Sequence, residues 1–475
     1  MKNLSYLLVP LSIASAGCSA GPDFVRPDMP ATQRYTAQPF KLDTGNGVAG
    51  EPQQIVSGEV AERWWEAFGS VKLNSLIDKA LAQSPTLDAA EATLRQAEAL
   101  HNAKAGATRY PHVDGAIGAQ RQGINGSKNG LDGGEKTFNL LNASVSAGYT
   151  FDLSGGNRRQ LEALAAKAGY QRFQLAGARL TLAADIAITA IRQAQLSSQI
   201  AATETIITTR REQFDITRER LHLGAASEQD LLAMQTLLDQ TRAELPELRH
   251  QHNQTTTLLA LLAGEAPDAV TIPSFTVQDF TLPPTLPLRV PSELVRSRPD
   301  IQASEALMRA ANADYGAAVA KAYPQMTLGA NIGSQALTTA ALFGSGSLVW
   351  GVAGQLVQPL FNQGIGAEKD AAKAGFEATA ANYRQNVLKG LREVADVLSA
   401  LNNDTQRLSA LTSANQASHD LVKTVNHRYQ LGAASYFELL QAQSEHDQLQ
   451  LELIAAQARR LSDSVAFYQA MGGGR

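Results

Sequence analysis

The chain has 475 residues, of which 44% are hydrophobic and 18% charged, with a formal net charge of −4 and a single cysteine. At about 150 residues per domain this length suggests roughly three domains, which excludes a small disulfide-stapled fold. One cysteine also excludes an intramolecular disulfide framework and a multi-cysteine metal site. Because the sequence has no block of Lys and Arg and no phosphate-binding glycine loop, we expect no nucleic-acid partner, no cofactor, no metal and no enzymatic activity.

The first segment is typical of an export signal. A basic residue precedes the apolar run at 4–16, which ends in Ala-Gly-Cys-Ser at Cys18 and Ser19 and is too short to span a membrane as a helix. The segment resembles a bacterial lipoprotein signal, in which 1–17 is removed and Cys18 becomes the lipid-bearing first residue. Ser15 departs from the aliphatic residue usual there, and an ordinary secretory signal with a chance cysteine is the alternative. No later stretch reaches 18 apolar residues, so a membrane span is expected to consist of strands.

Four segments with alternating apolar and polar residues are predicted to be strands. The clearest runs from Leu141 to Phe151, where every second residue is apolar over a dozen positions. About 9 to 11 residues of this pattern span a bilayer when the strand is tilted. The predicted strands lie at about 110–122, 139–153, 323–336 and 347–360, and Gly/Ser/Asn-rich loops are expected at 123–137 and 337–346.

Four strands are too few to close a barrel by themselves, because the smallest transmembrane barrels use about eight. At an open sheet edge in lipid, each unpaired backbone group costs several kcal/mol of free energy. The edges are therefore expected to pair with other copies of the chain. A soluble β-sandwich is the alternative for the strands considered alone.

Long helices are predicted between the strands and after them. The segment 157–222 contains no proline and is rich in Ala, Leu and Gln. At about 1.5 Å per residue it reaches roughly 100 Å, a length that implies coiled-coil packing. A cytosolic helical scaffold explains these helices but neither the strands nor the leader.

The chain contains one pattern twice. The octet at 84–91 corresponds to that at 298–305, and Leu-Gly-Ala-Ala-Ser occurs at 223–227 and again at 431–435. Since the order of the matches is the same in both halves, a duplication is predicted. Each half is expected to contain a helix, a strand pair, a long helix, a turn and a second helix.

Together these features resemble the outer membrane factors, a TolC-like family, and within it the NodT-type lipoproteins of RND efflux systems. The resemblance extends from Cys18 to about Gly474. The residues that carry it are Gly21 to Pro27, Trp64-Trp65 with Leu73, Leu76 and Ile77, Leu286-Pro287, Val290 to Ile301, and Arg220 and Arg428 before the two turn glycines.

The resemblance implies a mixed α and β fold that forms a homotrimer. Each chain contributes four strands to one 12-stranded barrel in the outer membrane and its helices to a periplasmic coiled-coil tunnel. The implied parts are a signal peptide at 1–17, a lipid-anchored segment at 18–63, a first repeat at 64–266, an equatorial linker at 267–290 and a second repeat at 291–475. The linker, the segment before Trp64 and the C-terminus form a belt around the tunnel.

The implied function is passive export. The trimer is an exit duct for drugs or other small toxic compounds, docked onto a periplasmic adaptor (a membrane fusion protein) and an RND-type inner-membrane pump that supplies the energy. A duct for type I protein secretion and a lipid-anchored periplasmic scaffold without a pore are the alternatives.

The two glycine turns are predicted to form the periplasmic tips. Gly224 and Gly432 fit helix ends in the left-handed conformation, which glycine adopts without steric cost. Ser227 and Ser435 then begin the next helices as N-caps, each followed three residues later by an acid in a capping-box arrangement. The expected adaptor-docking residues are Arg220, Leu223, Gly224, Ser227, Arg428, Leu431, Gly432 and Ser435.

The acids beside these turns are candidates for a gate. Three copies each of Asp230 and Glu438 would ring the mouth and favour cations, with helix capping as their alternative or additional role. The family often has an acid one turn further, but this chain has Gln441 there. Phe437 is expected to form an apolar constriction or to pack between helices, and Tyr429 to bridge to Asp230 across neighbouring helices.

Overall fold

The structure is a computed structural model, and it describes residues 19–28, 32, 34–36, 53–125, 135–268 and 272–474. The predicted signal at 1–17, Cys18 and the stretch 37–52 lie outside the described residues. The helices are α1 Val71–Gln83, α2 Pro85–Arg109, α3 Gly156–His222, α4 Glu228–Leu262, α5 Pro291–Ser297, α6 Pro299–Ala320, α7 Gln363–Gln430 and α8 Tyr436–Ala470. The strands are β1 Gln54–Ser57, β2 His112–Asn125, β3 Glu135–Phe151, β4 Thr285–Leu288, β5 Gln325–Ala336 and β6 Leu348–Val357.

The two halves have the same order of elements. In each half two consecutive helices lead into a pair of strands, which is followed by a very long helix, a short turn and a last helix. The long helices α3 and α7 have 67 and 68 residues, and α4 and α8 have 35 each. At about 1.5 Å per residue, α3 and α7 are each roughly 100 Å long.

The four predicted strands form one antiparallel sheet in the order β2-β3-β5-β6. The central pair, β3 and β5, joins the two halves, with Val145 opposite Ile332. Strands β2 and β6 each have one partner within the described sheet, so the outer backbone groups of both strands are available to another strand.

The observed strand bounds differ from the predicted ones for two physical reasons. β2 and β5 begin directly after Pro111 and Pro324, because proline has no N–H to donate to a sheet. At the far end, β2 and β3 continue beyond the alternating residues, with Asn125 paired to Glu135. Backbone hydrogen bonds maintain this pairing without an apolar pattern, so the loop expected at 123–137 is much shorter.

One face of the sheet carries large apolar side chains that are exposed in the single chain. Residues paired across strands lie on the same face, and this places Ile332 beside Trp350. Ile117 is 89% exposed and Trp350 73%. Such a continuous apolar surface is typical of contact with lipid.

The chain divides into two compact units that do not follow the two halves. The first contains the residues up to Pro27 together with Thr93–Arg172 and Ala303–Tyr383, and therefore holds the four-stranded sheet. The second contains Asp28–Ala92, Phe173–Gln302 and Arg384–Arg475. Each unit takes segments from both halves, so the repeats are not separate bodies.

In the second unit, the three segments expected to form a belt contact one another. Strand β1 pairs in parallel with β4. The ring of Trp64 stacks on that of Tyr468 at 5.3 Å. Arg289 and Arg298 donate hydrogen bonds to the backbone oxygens of Met471 and Ala470, at 2.8 and 3.0 Å.

One helix of the described chain, α3, is long and apolar enough to cross a membrane by length and composition alone. Half of its most apolar 18-residue stretch is buried inside the chain. A core helix passes the same test, so this is weak evidence of a helical span.

A buried carboxyl group in α8 leads to a prediction about pH. Burial, together with a hydrogen bond to Asp404, raises the pKa of Asp463 from its ordinary 3.8 to about 8. At neutral pH the folded chain therefore binds a proton that the unfolded chain releases. We expect the stability contributed by this group to fall as pH rises from about 4 to 8 and then to level off.

The test compares unfolding temperatures of the detergent-solubilised protein at pH 6 and pH 9. The Asp463→Asn variant keeps a neutral, hydrogen-bonding side chain, and its unfolding temperature should fall less over this interval than that of the wild type. Equal falls in the two proteins would contradict the assignment.

Candidate functional site

The two turns between long helices have the same backbone geometry. Gly224 has φ of +74° and Gly432 φ of +75°, a conformation in which a side chain is strained. In the first turn the N–H of Ala225 donates to the oxygen of Arg220 at 2.7 Å, and that of Gly224 to Leu221 at 3.0 Å. These two bonds define a Schellman motif. The second turn repeats them, from Ala433 to Arg428 at 2.8 Å and from Gly432 to Tyr429 at 3.0 Å.

The capping box predicted at the first turn is complete. The N–H of Asp230 donates to Ser227 Oγ at 3.2 Å, and the N–H and Oγ of Ser227 donate to Asp230 Oδ2 at 3.0 and 2.7 Å. These bonds hold the pKa of the Asp230 carboxyl below its ordinary value. Asp230 is therefore an anion at neutral pH. Its carboxylate is held in one orientation by Ser227, the N-cap of the same helix.

The second turn forms only half of this arrangement. The N–H of Glu438 donates to Ser435 Oγ at 3.2 Å, but in the described part of the chain the N–H of Ser435 does not donate to the Glu438 carboxylate. Its side chain is exposed. Of the two predicted capping boxes, the one at Asp230 is confirmed. The one at Glu438 is wrong in its second bond, because the Glu438 side chain is exposed instead of turning back to the N–H of Ser435.

Apolar side chains are exposed at both turns. Leu223 is 74% exposed, Leu431 70% and Phe437 69%. Phe437 therefore does not pack between the helices of its own chain, which was one of its two expected roles. The exposed leucines form a small apolar surface around each glycine.

Tyr429 has a different partner within the chain from the one expected. Its hydroxyl accepts a hydrogen bond from Arg220 Nη1, and the guanidinium lies 5.6 Å from the centre of its ring. In the described part of the chain the expected bridge from Tyr429 to Asp230 is not formed; instead Tyr429 bonds to Arg220, and the Asp230 carboxylate accepts from Ser227.

A row of polar contacts, here called the polar seam, joins α3 to α7 and α8 below the turns. Arg210, Gln213, Thr217 and Arg220 are spaced three and four residues apart, which places them on one face of α3. Their partners are Asp447 (2.9 Å), Gln443 (2.9 Å), Tyr436 (2.9 Å) and Tyr429 respectively. Sequence reasoning identified only the last pair's residues as site candidates. The spacing on α3 was a visible signal, but it does not reveal partners more than 200 residues away.

The seam is partly shielded from water. The side chains of Arg210 and Asp447 are 15% and 23% exposed. Burial raises the pKa of Asp447, and the charge of Arg210 opposes that rise. Burial also raises the pKa of Tyr436, so its hydroxyl is neutral and accepts from Thr217. The seam therefore combines an ion pair with neutral hydrogen bonds, all of which lose their partners if the helices separate.

Comparison with known proteins covers the whole of this architecture. The outer membrane efflux protein family matches residues 76–265 and 290–473. The pyoverdine export outer membrane protein OpmQ of Pseudomonas putida is 29% identical over 472 residues, which cover 98% of this chain and 97% of that protein. The cation efflux system protein CusC of Escherichia coli is 25% identical, with 98% of each chain covered.

The fold is shared with solved structures. The outer-membrane channel OprN has a TM-score of 0.86 at 26% identity, with 96% of this chain and 99% of that chain covered. The family match takes in both turns and the polar seam. The resemblance predicted from the sequence is confirmed, and the chain belongs to the outer membrane efflux protein family.

Proposed function

We propose that three copies of this chain form a passive exit duct across the outer membrane. The observation that carries this proposal is the four-stranded sheet, which has an apolar face and an outer edge on each of β2 and β6. Four strands cannot enclose a pore, whereas three such sheets supply twelve. The long helices then continue the duct into the periplasm.

The native mass of the detergent-solubilised particle tests this assembly. A particle of three chains that images as a long three-fold tube supports the proposal. A monomer, or a trimer that does not conduct in planar bilayers, contradicts it, and the second result favours a lipid-anchored scaffold without a pore.

The turns are the proposed docking surface for a periplasmic adaptor, which connects the duct to an RND-type inner-membrane pump. Support comes from the small and apolar residues exposed around Gly224 and Gly432, which allow close approach of another helical tip. Relatives are named for export of pyoverdine, cations and toluene. A small-compound cargo is therefore favoured over the protein cargo of type I secretion.

Asp230 and Glu438 are the proposed selectivity acids at the mouth of the duct. Replacing both with alanine is expected to raise the single-channel conductance or to weaken cation selectivity, because six carboxylates are lost from the mouth of the trimer. Asp239→Ala, which removes an exposed acid paired with Arg242, is the matched control in planar bilayers. If both quantities stay unchanged in the double variant, the two carboxylates act as helix caps only.

Cys18 is the proposed lipid anchor that holds each chain at the outer membrane. The leader and the following Ser19 support this, as they resemble a lipoprotein signal. Mass spectrometry of the mature N-terminal peptide tests it. A peptide that begins at Cys18 with added fatty acyl mass supports the proposal, and an unmodified peptide contradicts it.

A further inference from the structure

The segment directly after Cys18 is tightly held by the first compact unit. The N–H of Ala20 donates to the oxygen of Ser154 at 2.8 Å. Arg159, which is only 4% exposed, donates from Nε to the oxygen of Ala20 at 3.2 Å and from Nη2 to Asp23 Oδ1 at 2.7 Å. A buried arginine used to hold one short segment indicates that the position of this segment matters.

Helix α6 holds the same segment from a second direction. Gly21 approaches Gly316 so closely that a Cβ on Gly21 would lie 2.6 Å from the Gly316 Cα. Asn312 Nδ2 donates to the oxygen of Pro22 at 3.1 Å. Two further contacts follow, an Arg26–Glu305 ion pair at 2.8 Å and the guanidinium of Arg309 at 5.0 Å from the ring of Phe24.

A cavity of about 340 Å³ lies at the start of this segment. Ser19 and Ala20 of this segment line it, together with Leu153, Tyr323 and Pro324. Its volume lies at the lower end of the range of small-ligand pockets, and Ala20, Leu153, Tyr323 and Pro324 give it apolar surface.

The cavity lies at one end of the membrane-type sheet. Because neighbouring strands in this sheet are antiparallel, one end of the sheet contains the start of β2, the end of β3, the start of β5 and the end of β6. This end is here called the interface edge. Large exposed side chains mark this edge, namely Tyr110, Phe151, Leu153, Tyr323, Leu360 and Phe361. Aromatic residues concentrate where a transmembrane barrel meets the membrane interface, so the cavity opens at that level.

We propose that this cavity receives a fatty acyl chain of the lipid attached to Cys18. Ser19 lines the cavity and is the residue to which Cys18 is covalently bonded, so a lipid on Cys18 is attached one residue from the cavity lining. The segment after Cys18, which Arg159 and α6 bind, then keeps the lipid anchor at the interface edge of the sheet. This inference rests on the proposed lipidation of Cys18, and its test separates the two.

The test uses cells fed a fatty acid that carries a photoactivatable diazirine. After irradiation of intact membranes, peptide mass spectrometry should find the lipidated Cys18 peptide cross-linked to the peptides that contain Leu153 and Tyr323. An unmodified Cys18 peptide overturns the lipidation and this inference together. A lipidated Cys18 cross-linked only elsewhere overturns this inference alone.

Two variants sharpen the result. Leu153→Trp fills the cavity, so the cross-link to Tyr323 is expected to fall about tenfold. Leu360→Trp, which adds the same bulk at the same edge but outside the cavity, should leave the cross-link unchanged. Equal yields in both variants would contradict the proposal.

The Cys18→Ser variant, exported with an ordinary secretory signal, shows whether the acyl chain in the cavity comes from Cys18 or from a phospholipid. If bilayer phospholipids still label Leu153 and Tyr323 in this variant to the wild-type extent, the occupant is a phospholipid chain and the proposal fails. Loss of this labelling supports the lipid of Cys18.

Discussion

Replacing Gly432 with proline is expected to abolish export while the trimer still assembles. Gly432 has φ of +75°, whereas proline fixes φ near −65° and lacks the N–H that Gly432 donates to Tyr429. Proline also restricts the backbone conformation of Leu431 before it. In a helix interior a proline costs about 3 kcal/mol or more of stability. Here the proline distorts the exposed turn where the adaptor is proposed to dock.

The sheet and the belt contacts lie outside this turn, so assembly should not change. The measurement is drug resistance in cells that lack other outer membrane efflux proteins but contain the matching adaptor and pump. Trimer abundance in the outer membrane is followed in parallel. Gly432→Asn is the control, because asparagine tolerates the left-handed conformation, and it should retain most of the resistance. Full resistance in the proline variant would refute docking at this turn.

Breaking the polar seam is expected to increase the conductance of the isolated duct. The Arg210–Asp447 pair is shielded from water and is reinforced by hydrogen bonds from Arg210 to Thr241 and to the oxygen of Leu237. Removing one partner leaves the other charge without compensation in a shielded site, which is strongly destabilising. The end of α8 should then separate more readily from α3. If the seam holds the duct narrow, Arg210→Ala combined with Arg220→Ala widens it.

Single-channel recording and uptake of a bulky antibiotic by whole cells measure this effect. The matched control is Arg242→Ala, which removes an exposed arginine whose pair with Asp239 lies three residues away on the same helix. Exposed pairs of this kind contribute about 0–1 kcal/mol, so neither readout should change. Wild-type conductance in the double variant would show that the seam stabilises the chain without restricting the pore.

The turns illustrate how far local chemistry predicts a site. The left-handed glycines and both serine caps follow from the residue types alone, because each depends on bonds within about five residues. The incomplete box at Glu438 and the exposure of Phe437 do not follow. They depend on which conformation the side chain adopts and on which helices pack nearby, and neither is encoded in the Ser-x-x-acid spacing.

The sequence by itself determined the duplicated order of elements, the four strands and the two glycine turns, since periodicity, proline positions and left-handed glycines act locally. The tertiary structure alone decided that β3 pairs with β5, that Arg210 meets Asp447, that Tyr429 meets Arg220 and that Arg159 holds the segment after Ser19. The residues of these pairs are separated by more than a hundred positions. Their contacts arise only when helices, strands and the segment after Ser19 pack together, because packing, rather than spacing, brings such groups within hydrogen-bonding distance.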